Sequence, residues 1–318
     1  MDLQTTYMGL TLKNPLVVSS SPISAKGESI QRAIDAGAAA VVLCSLFEEQ
    51  FEKSGDDYPY FPSAEDYVLS PEAYFDLLHK TVNRSPVPII GSLNGFTADG
   101  LADRARKIQD AGAQGLELNL YHVASNPNVT GQEIEQRHFE IVRAVKELVE
   151  IPVALKMSPY FSSLGNMVKR FDHLGVDAFV FFNRFYQPDF NLVAMEMEPN
   201  MTLSGPEEIR LTLRWIAMMK GRINASMAAS TGVQSGVEAI KYLLAGADAV
   251  MTASALLQHG PEYIGALIRD LERWMEKNEY ESVSELQGKM SQRGAPNPEE
   301  LERANYIKVI ETYTKKCL

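Results

Sequence analysis

The chain has 318 residues, 45% hydrophobic and 22% charged, with the charges spread along it, so global disorder is excluded and a large core can form. Thirty basic against 41 acidic residues give a formal net charge of −11, which disfavours nucleic-acid binding because that needs a basic patch. No apolar run of about 20 residues occurs, so no transmembrane helix is expected, and Met1-Asp2-Leu3-Gln4-Thr5-Thr6 lacks the basic-then-apolar order of a secretory signal.

Eight short apolar runs follow in chain order, at 16–19, 39–43, 87–91, 115–120, 153–157, 178–182, 223–229 and 247–251. Their length and their Gly or Pro flanks favour strands buried on both faces, the seventh being the weakest. Between them, 3.6-residue periodicity predicts helices over 98–111, 132–149, 164–174, 206–220 and 237–245. Pro206 suits a first helical turn, with Glu207 and Glu208 placed for the positive helix end. A phrase centred on glycine precedes four of the runs: Ala36-Gly37-Ala38, Ala111-Gly112-Ala113, Leu174-Gly175-Val176 and Ala245-Gly246-Ala247. Each glycine can end a helix in the left-handed region before the next strand opens.

This is one βα unit repeated, and it predicts a single (β/α)8 barrel, the TIM-barrel form of the α/β class. The alternative, a doubly wound sheet, lacks its glycine-rich fingerprint, because the first strand is followed by Ser19-Ser20-Ser21-Pro22. The segment 262–277 reads as the last barrel helix. Added helices are expected over 283–290 and 299–312, joined through a linker at 294–298. The expected division is a barrel over 1–290 and a helical extension packed on it over 291–318. Long connections at 47–70, 121–131 and 183–204 all follow strands and so belong to the C-terminal face, where barrel active sites form.

Polar residues at strand ends mark that face. Glu117 and Asn119 share one side of the fourth strand. Asn119 in a dry barrel mouth either binds a planar polar ligand or ties down a loop. Lys156 ends the fifth strand and either meets an anionic or acceptor-rich ligand or pairs with Glu117. The segments 229–236 and 252–255, joined by Ser204-Gly205, are small-residue turns suited to a phosphate. On the loop after the fourth strand, His122 can serve as a base and Ser125 as a weaker one, or His122 simply packs there. Arg184, Phe185 and Tyr186 suit an anionic planar ligand or anchor their loop. Cys44 reads as a small buried residue. Cys44 and Cys317 make no disulfide framework, which points to a reducing, cytoplasmic setting. The five histidines have no metal-site spacing, so no metal is expected.

These residues in this order resemble the dihydroorotate dehydrogenase family, in its soluble class. The most specific pieces are Glu117-Leu118-Asn119-Leu120, Asn126-Pro127-Asn128-Val129-Thr130-Gly131, Lys156-Met157-Ser158-Pro159-Tyr160 and the turns at Gly232 and Ser254. The resemblance implies a (β/α)8 barrel with non-covalent FMN, usually a homodimer. The implied reaction oxidises dihydroorotate to orotate, a loop base taking a proton while the flavin takes a hydride. By position, Lys156 would contact the flavin ring beside Ser19 and Ser20, with Asn119 near flavin and substrate. Asn128 and Asn183 would bind substrate, and Gly205, Gly232, Val233, Ala253 and Ser254 would hold the FMN phosphate. The catalytic set is then Ser125, His122 and Lys156.

The sequence departs from the family pattern in three places. Asn126 stands where the family has its catalytic Cys or Ser, and a neutral amide is no base. About four extra residues, from Tyr121 to Ala124, could bring Ser125 or His122 into reach. Cys44 stands where the family lysine of the second strand is expected. The following loop reads Glu48-Glu49-Gln50-Phe51-Glu52-Lys53, whose acids at the mouth would oppose an anionic substrate. No second nucleotide domain or iron–sulfur motif is present, so the electron acceptor would be a separate partner or a direct encounter. The alternative readings are an FMN oxidoreductase for another small cyclic amide-like substrate and a non-catalytic flavin-binding or interaction protein.

Overall fold

The computed structural model describes residues 1–51, 67–198 and 200–317. Its centre is a closed ring of eight parallel strands: β1 (Leu16–Val18), β2 (Ala40–Val42), β3 (Ile89–Asn94), β4 (Gly115–Asn119), β5 (Val153–Lys156), β6 (Ala178–Phe181), β7 (Ser226–Ala229) and β8 (Ala249–Thr252). Each strand pairs with the next, and the ring closes where Val250, Met251 and Thr252 pair with Leu16, Val17 and Val18. Eight helices follow the strands in turn: α1 (Gly27–Asp35), α2 (Pro71–Val82), α3 (Ala98–Asp110), α4 (Gly131–Leu148), α5 (Leu164–His173), α6 (Ile209–Met219), α7 (Gly236–Ala245) and α8 (Ile264–Lys277). The fold is a (β/α)8 barrel with added C-terminal helices.

The glycine phrase seen in the sequence has a physical counterpart at each of its four joints. Gly37, Gly112, Gly175 and Gly246 all have positive φ, between 80° and 120°. In three of these joints, the residue two after the glycine reaches back to the adjacent strand. Gln114 Oε1 accepts the Ile89 N–H, Asp177 Oδ2 the Val153 N–H, and Asp248 Oδ2 the Met227 N–H, at 2.7–2.8 Å. Each strand start is therefore satisfied by the side chain that opens the following strand.

The interior divides into two apolar zones. Side chains alternating outward from the strands pack under the helices. Those pointing inward, including Val17, Val42, Ile90, Ala154, Val180 and Met251, meet Tyr7, Met8 and Leu12 from an N-terminal hairpin, Thr5–Tyr7 paired with Leu10–Leu12. The hairpin stops the bottom of the barrel. Thr5 donates to the Asp248 carbonyl, and the Met8 N–H donates to Ser226 Oγ. A Cβ on Gly115 would come within 2.8 Å of the Met8 methyl, so this strand has glycine where the plug enters.

Some boundaries differ from expectation. The seventh strand begins at Ser226 rather than 223, because Asp172 Oδ1 takes the N–H groups of Asn224 and Ala225. The sixth helix opens as a 3-10 turn, Pro206–Glu208. The helix expected over 283–290 is one turn, Val283–Leu286, after which the N–H groups of Gly288 and Met290 go to the carbonyls of Leu243 and Leu244 on α7. The last expected helix divides into a 3-10 turn, Pro298–Leu301, and a helix, Arg303–Cys317. Helices α1 and α2 were not expected by periodicity.

Asp248 also accepts from Lys220 Nζ at 3.2 Å and from the Gln287 amide at 2.6 Å, so one carboxylate ties β7, the end of α6 and the C-terminal segment. Asp248→Ala strands three donors and should lower the unfolding free energy by about 1–3 kcal/mol. Urea denaturation measures this, and an unchanged midpoint would contradict it.

Candidate active site

The top of the barrel interior is polar. Inward-facing Ser92, Glu117 and Lys156 stand on neighbouring strands, all buried. Lys156 Nζ bonds Glu117 Oε1 at 3.1 Å, with Lys156 8% and Glu117 1% exposed. Removing two charges from water costs several kcal/mol per ion, which only close pairing offsets. Lys156 pairs with Glu117, the second of the two sequence readings, and also lines the cleft described below. The other Glu117 oxygen and the Tyr7 hydroxyl are buried without hydrogen bonds among the described residues. Burial, then Glu117 and Asp248, push the Tyr7 phenol well above its ordinary pKa, so it stays protonated.

Asn119 lies beside Lys156 in the register of β4 and β5, and its Oδ1 accepts from Asn183 Nδ2 at 3.0 Å. Asn183 is held by its own N–H on the Met157 carbonyl. The two asparagines thus form one amide pair across the tops of β4 and β6. The Phe181–Phe182 peptide just before it is cis.

The small-residue turns converge as the sequence indicates. Ser204 is their hub: its hydroxyl shares a hydrogen bond with Ser254 Oγ at 2.8 Å and accepts the Gly232 N–H at 3.0 Å, while its carbonyl accepts the Gln234 amide. Thr231 and Gly232 are successive left-handed residues, φ 79° and 74°. That conformation is strained for a β-branched residue. The Thr231 carbonyl is pinned by the Tyr242 hydroxyl at 2.8 Å, and Ser230 Oγ donates to the Phe182 carbonyl. A Cβ on Gly232 would lie 2.8 Å from the Gly205 carbonyl and 2.7 Å from Ile209. The buried Val233 N–H has no acceptor among the described residues. Gly205 differs from expectation, since its N–H is taken by Glu208 Oε1 at 2.8 Å, which closes the Pro206–Glu208 turn.

Ser19, Ser20, Lys156, Asn183, Gly232, Val233, Ala253 and Ser254 line one cleft. Asn119 reaches it through Asn183. Ser20 is further linked through Ser45 Oγ at 3.2 Å to buried Ser92 Oγ at 2.8 Å. This hydroxyl chain was missed in sequence. Its signal was the alternation Ile90, Ser92, Asn94, which puts Ser92 on the inner face.

The loop after β4 stands apart from this cleft. His122 stacks on Phe96, centroids 4.0 Å apart, and lines a second cavity with Asn126 and Arg137. Ser125 and Asn128 are exposed. Asn126 Oδ1 accepts the Asn128 N–H at 3.0 Å, an Asx turn leading to the Thr130 cap of α4. The structure therefore places His122, Ser125 and Asn128 outside the cleft that holds Lys156. Cys44 is buried, and burial pushes its thiol up to about 11, so it is a neutral protonated group.

The acid of the second loop takes a different place from that expected. Glu48 is buried, its Oε2 accepting the N–H groups of Phe96 and Thr97 at the start of α3, with Arg104 3.9 Å from Oε1. Its charge serves a helix N-terminus and a buried arginine. Glu52 and Lys53 lie outside the described residues. The described loops at the mouth carry an aromatic cluster: Tyr121 stacks on Phe185 at 4.5 Å and Tyr160 meets Phe185 edge-on at 5.1 Å. Among the described residues no group of His, Cys, Asp and Glu could hold a metal, and no helix is long and apolar enough to cross a membrane.

A closed barrel whose phosphate-type turns and buried lysine meet at the C-terminal strand ends is a ligand-binding barrel of the enzyme type. The dihydroorotate dehydrogenase family model matches residues 2–275, and the chain belongs to that family. It is 27% identical over 302 residues to the catalytic subunit of dihydroorotate dehydrogenase B (NAD(+)) of Thermoplasma acidophilum, covering 90% of this chain and 98% of that one. The subunit of the same name from Methanothermobacter thermautotrophicus is 25% identical, covering 90% and 97%. That of Bacillus mycoides is also 25% identical, covering 90% and 96%.

Gly232→Ala should disrupt the turn, because both φ and space exclude a methyl group. It should cost about 1–3 kcal/mol, measured by urea denaturation, and wild-type stability would contradict the described geometry.

Burial lowers the pKa of His122 and His138 from the ordinary 6.5, with Arg137 adding to both and a bond to the Ile134 carbonyl opposing the shift at His138. The unfolded chain therefore takes up these protons first, and their contribution to stability, present above about pH 6.5, is lost as pH falls below it. Unfolding free energies at acidic and neutral pH should converge in the His122→Phe/His138→Phe double variant relative to wild type. An equal decline in both proteins would refute this.

Proposed function

We propose that the chain is an FMN-dependent oxidoreductase acting on a CH–CH bond of a small cyclic amide-like substrate. The observation that carries this reading is the single cleft that gathers Lys156, Ser20, Asn183, Gly232, Val233 and Ser254. The fit to FMN rests on two features. The buried Val233 N–H faces no acceptor among the described residues, and the Ser204–Ser254 hydroxyls lie on the same cleft. These groups would hold the phosphate through N–H and O–H donors.

When bound, FMN supplies a two-electron acceptor for the hydride of a C–H bond. Glu117 fixes the Lys156 ammonium at the cleft wall, where it can stabilise negative charge. The Asn119–Asn183 pair presents amide donors and acceptors that match a cyclic amide. The candidate bases are His122 and Ser125, and a substrate proton reaches either only when their loop closes over the mouth. Burial and Arg137 favour neutral His122, the form able to accept a proton. The oxidant that restores the cofactor is a separate acceptor, and the active unit is a homodimer.

The relatives' name favours dihydroorotate as a second reading. Against it stand Asn126 in its Asx turn and Cys44 where the family lysine is expected. A flavin-binding protein without turnover is a third reading, favoured by the placement of His122 and Ser125 away from the cleft.

The test is the visible spectrum of the purified protein with added FMN, followed by anaerobic dihydroorotate. A flavin band that persists with dihydroorotate but bleaches with another cyclic amide supports the proposal. Bleaching by dihydroorotate establishes the second reading, a band that no such ring bleaches establishes the third, and no band overturns the FMN site. Lys156→Ala should lose flavin and, by leaving Glu117 buried and unpaired, about 3–5 kcal/mol of stability. Lys156→Ala/Glu117→Ala should recover much of the stability without the flavin; full flavin retention in either variant would refute the role of Lys156.

A further inference from the structure

We propose that Tyr242, on α7, is a positioning residue for the cofactor phosphate: its hydroxyl holds Thr231 in the left-handed region, which keeps the Val233 N–H two residues on available to an anion. The inference rests on the FMN reading above and concerns how this chain holds the phosphate turn of the same site.

The turn after β7 contains a backbone outlier. Thr231 has φ 79°, a region that is sterically costly for a β-branched residue. Gly232, at φ 74°, meets no such cost. A residue stays in such a region only where its surroundings over-determine it. Just before it, the Ser230 N–H donates to the Phe181 carbonyl and Ser230 Oγ to the Phe182 carbonyl, both at 2.7 Å. The peptide that links Thr231 to Gly232 is held at both ends. Its N–H donates to Ser204 Oγ at 3.0 Å, and its carbonyl accepts from the Tyr242 hydroxyl at 2.8 Å. Among the described residues Tyr242 is the one donor to that carbonyl.

Tyr242 suits this task. It is buried, and burial pushes its phenol above the ordinary value, with a bond to Thr212 on α6 opposing the shift. The hydroxyl therefore keeps the proton that it donates. The same pattern continues along the turn. The Val233 carbonyl accepts from the buried Thr252 Oγ1 at 3.1 Å, and the Gln234 carbonyl from the Tyr263 hydroxyl at 3.3 Å. Carbonyl oxygens repel an anion, and here hydroxyls from three other elements tie them down. The Val233 N–H, in a residue 2% exposed, keeps no acceptor among the described residues and is left as a donor.

The experiment is a double-mutant cycle on the full-length protein, with Tyr242→Phe and Thr231→Gly made singly and together. FMN affinity is read by fluorescence quenching and calorimetry. Phenylalanine keeps the ring and removes the hydroxyl, and Tyr242→Phe should weaken FMN about tenfold. Glycine takes a positive φ freely, so the same substitution beside Thr231→Gly should cost at most about twofold. Riboflavin shares the flavin ring and lacks the phosphate, and its binding should not differ between Tyr242→Phe and wild type. A tyrosine that merely supports the barrel would weaken both flavins, and would cost the same beside threonine or glycine. Unchanged FMN affinity in Tyr242→Phe, an equal cost in both backgrounds, or a parallel loss of riboflavin overturns the proposal. If Tyr242→Phe does not fold, the double variant decides: relief of the strain should let it fold and bind FMN, and its failure overturns the proposal. Absence of FMN binding by the wild type overturns the underlying FMN reading instead.

Discussion

Closure of the sheet between β8 and β1 is the constraint on which the rest of the molecule depends. Once the ring is closed, every second side chain of eight strands points into a space with no bulk water. That space must be filled from within. The lower part is filled by small and β-branched residues and by the Tyr7, Met8 and Leu12 plug. The upper part is filled by groups that bind one another: Glu117 with Lys156, Asn119 with Asn183, and Ser45 with Ser92. The change from apolar to polar occurs within single strands. On β5 it falls between Ala154 and Lys156, and on β3 between Ile90 and Ser92. Two residues along a strand separate a stability region from a chemical one.

The joints at the lower end explain how the upper end can be precise. The side chains of Gln114, Asp177 and Asp248 reach the N–H groups of neighbouring strands, fixing strand starts by side chain as well as by ladder. The left-handed glycines let α1, α3, α5 and α7 pass to the next strand with only three or four residues between. The lower connections are therefore short, and length accumulates above, in the loops after β2, β4 and β6. The same division gives the phosphate-type turns their rigidity. Ser204, Gly232 and Ser254 come from three different loops but share one hydroxyl.

Much of this was legible in the sequence, for identifiable reasons. The strands were readable because buried parallel strands are continuous apolar runs, and the joints because glycine is needed there. Lys156 and the Gly232 and Ser254 turns were readable because charge and small residues at strand ends are unusual in a dry mouth. The pairing of Ser20 with Ser45 was not readable, because it depends on how two loops meet. Nor was the fate of Glu48, which sequence puts at the mouth and the fold turns under α3. The second strand's partner helix escaped because its apolar face, Tyr74 and Leu78, is narrow. Short hydroxyl and carboxylate side chains give no periodic signal, so their partners are decided by tertiary structure alone.

The hairpin beneath the barrel has a consequence for traffic. Since Tyr7, Met8 and Leu12 stop the lower end, the interior opens, among the described residues, at the top. Under the proposed function, a molecule that gives up electrons and whatever later collects them would approach from that same side. Two visitors sharing one doorway would take turns, so the order of arrival and departure would be imposed by the wall at the far end as much as by the chemistry between them.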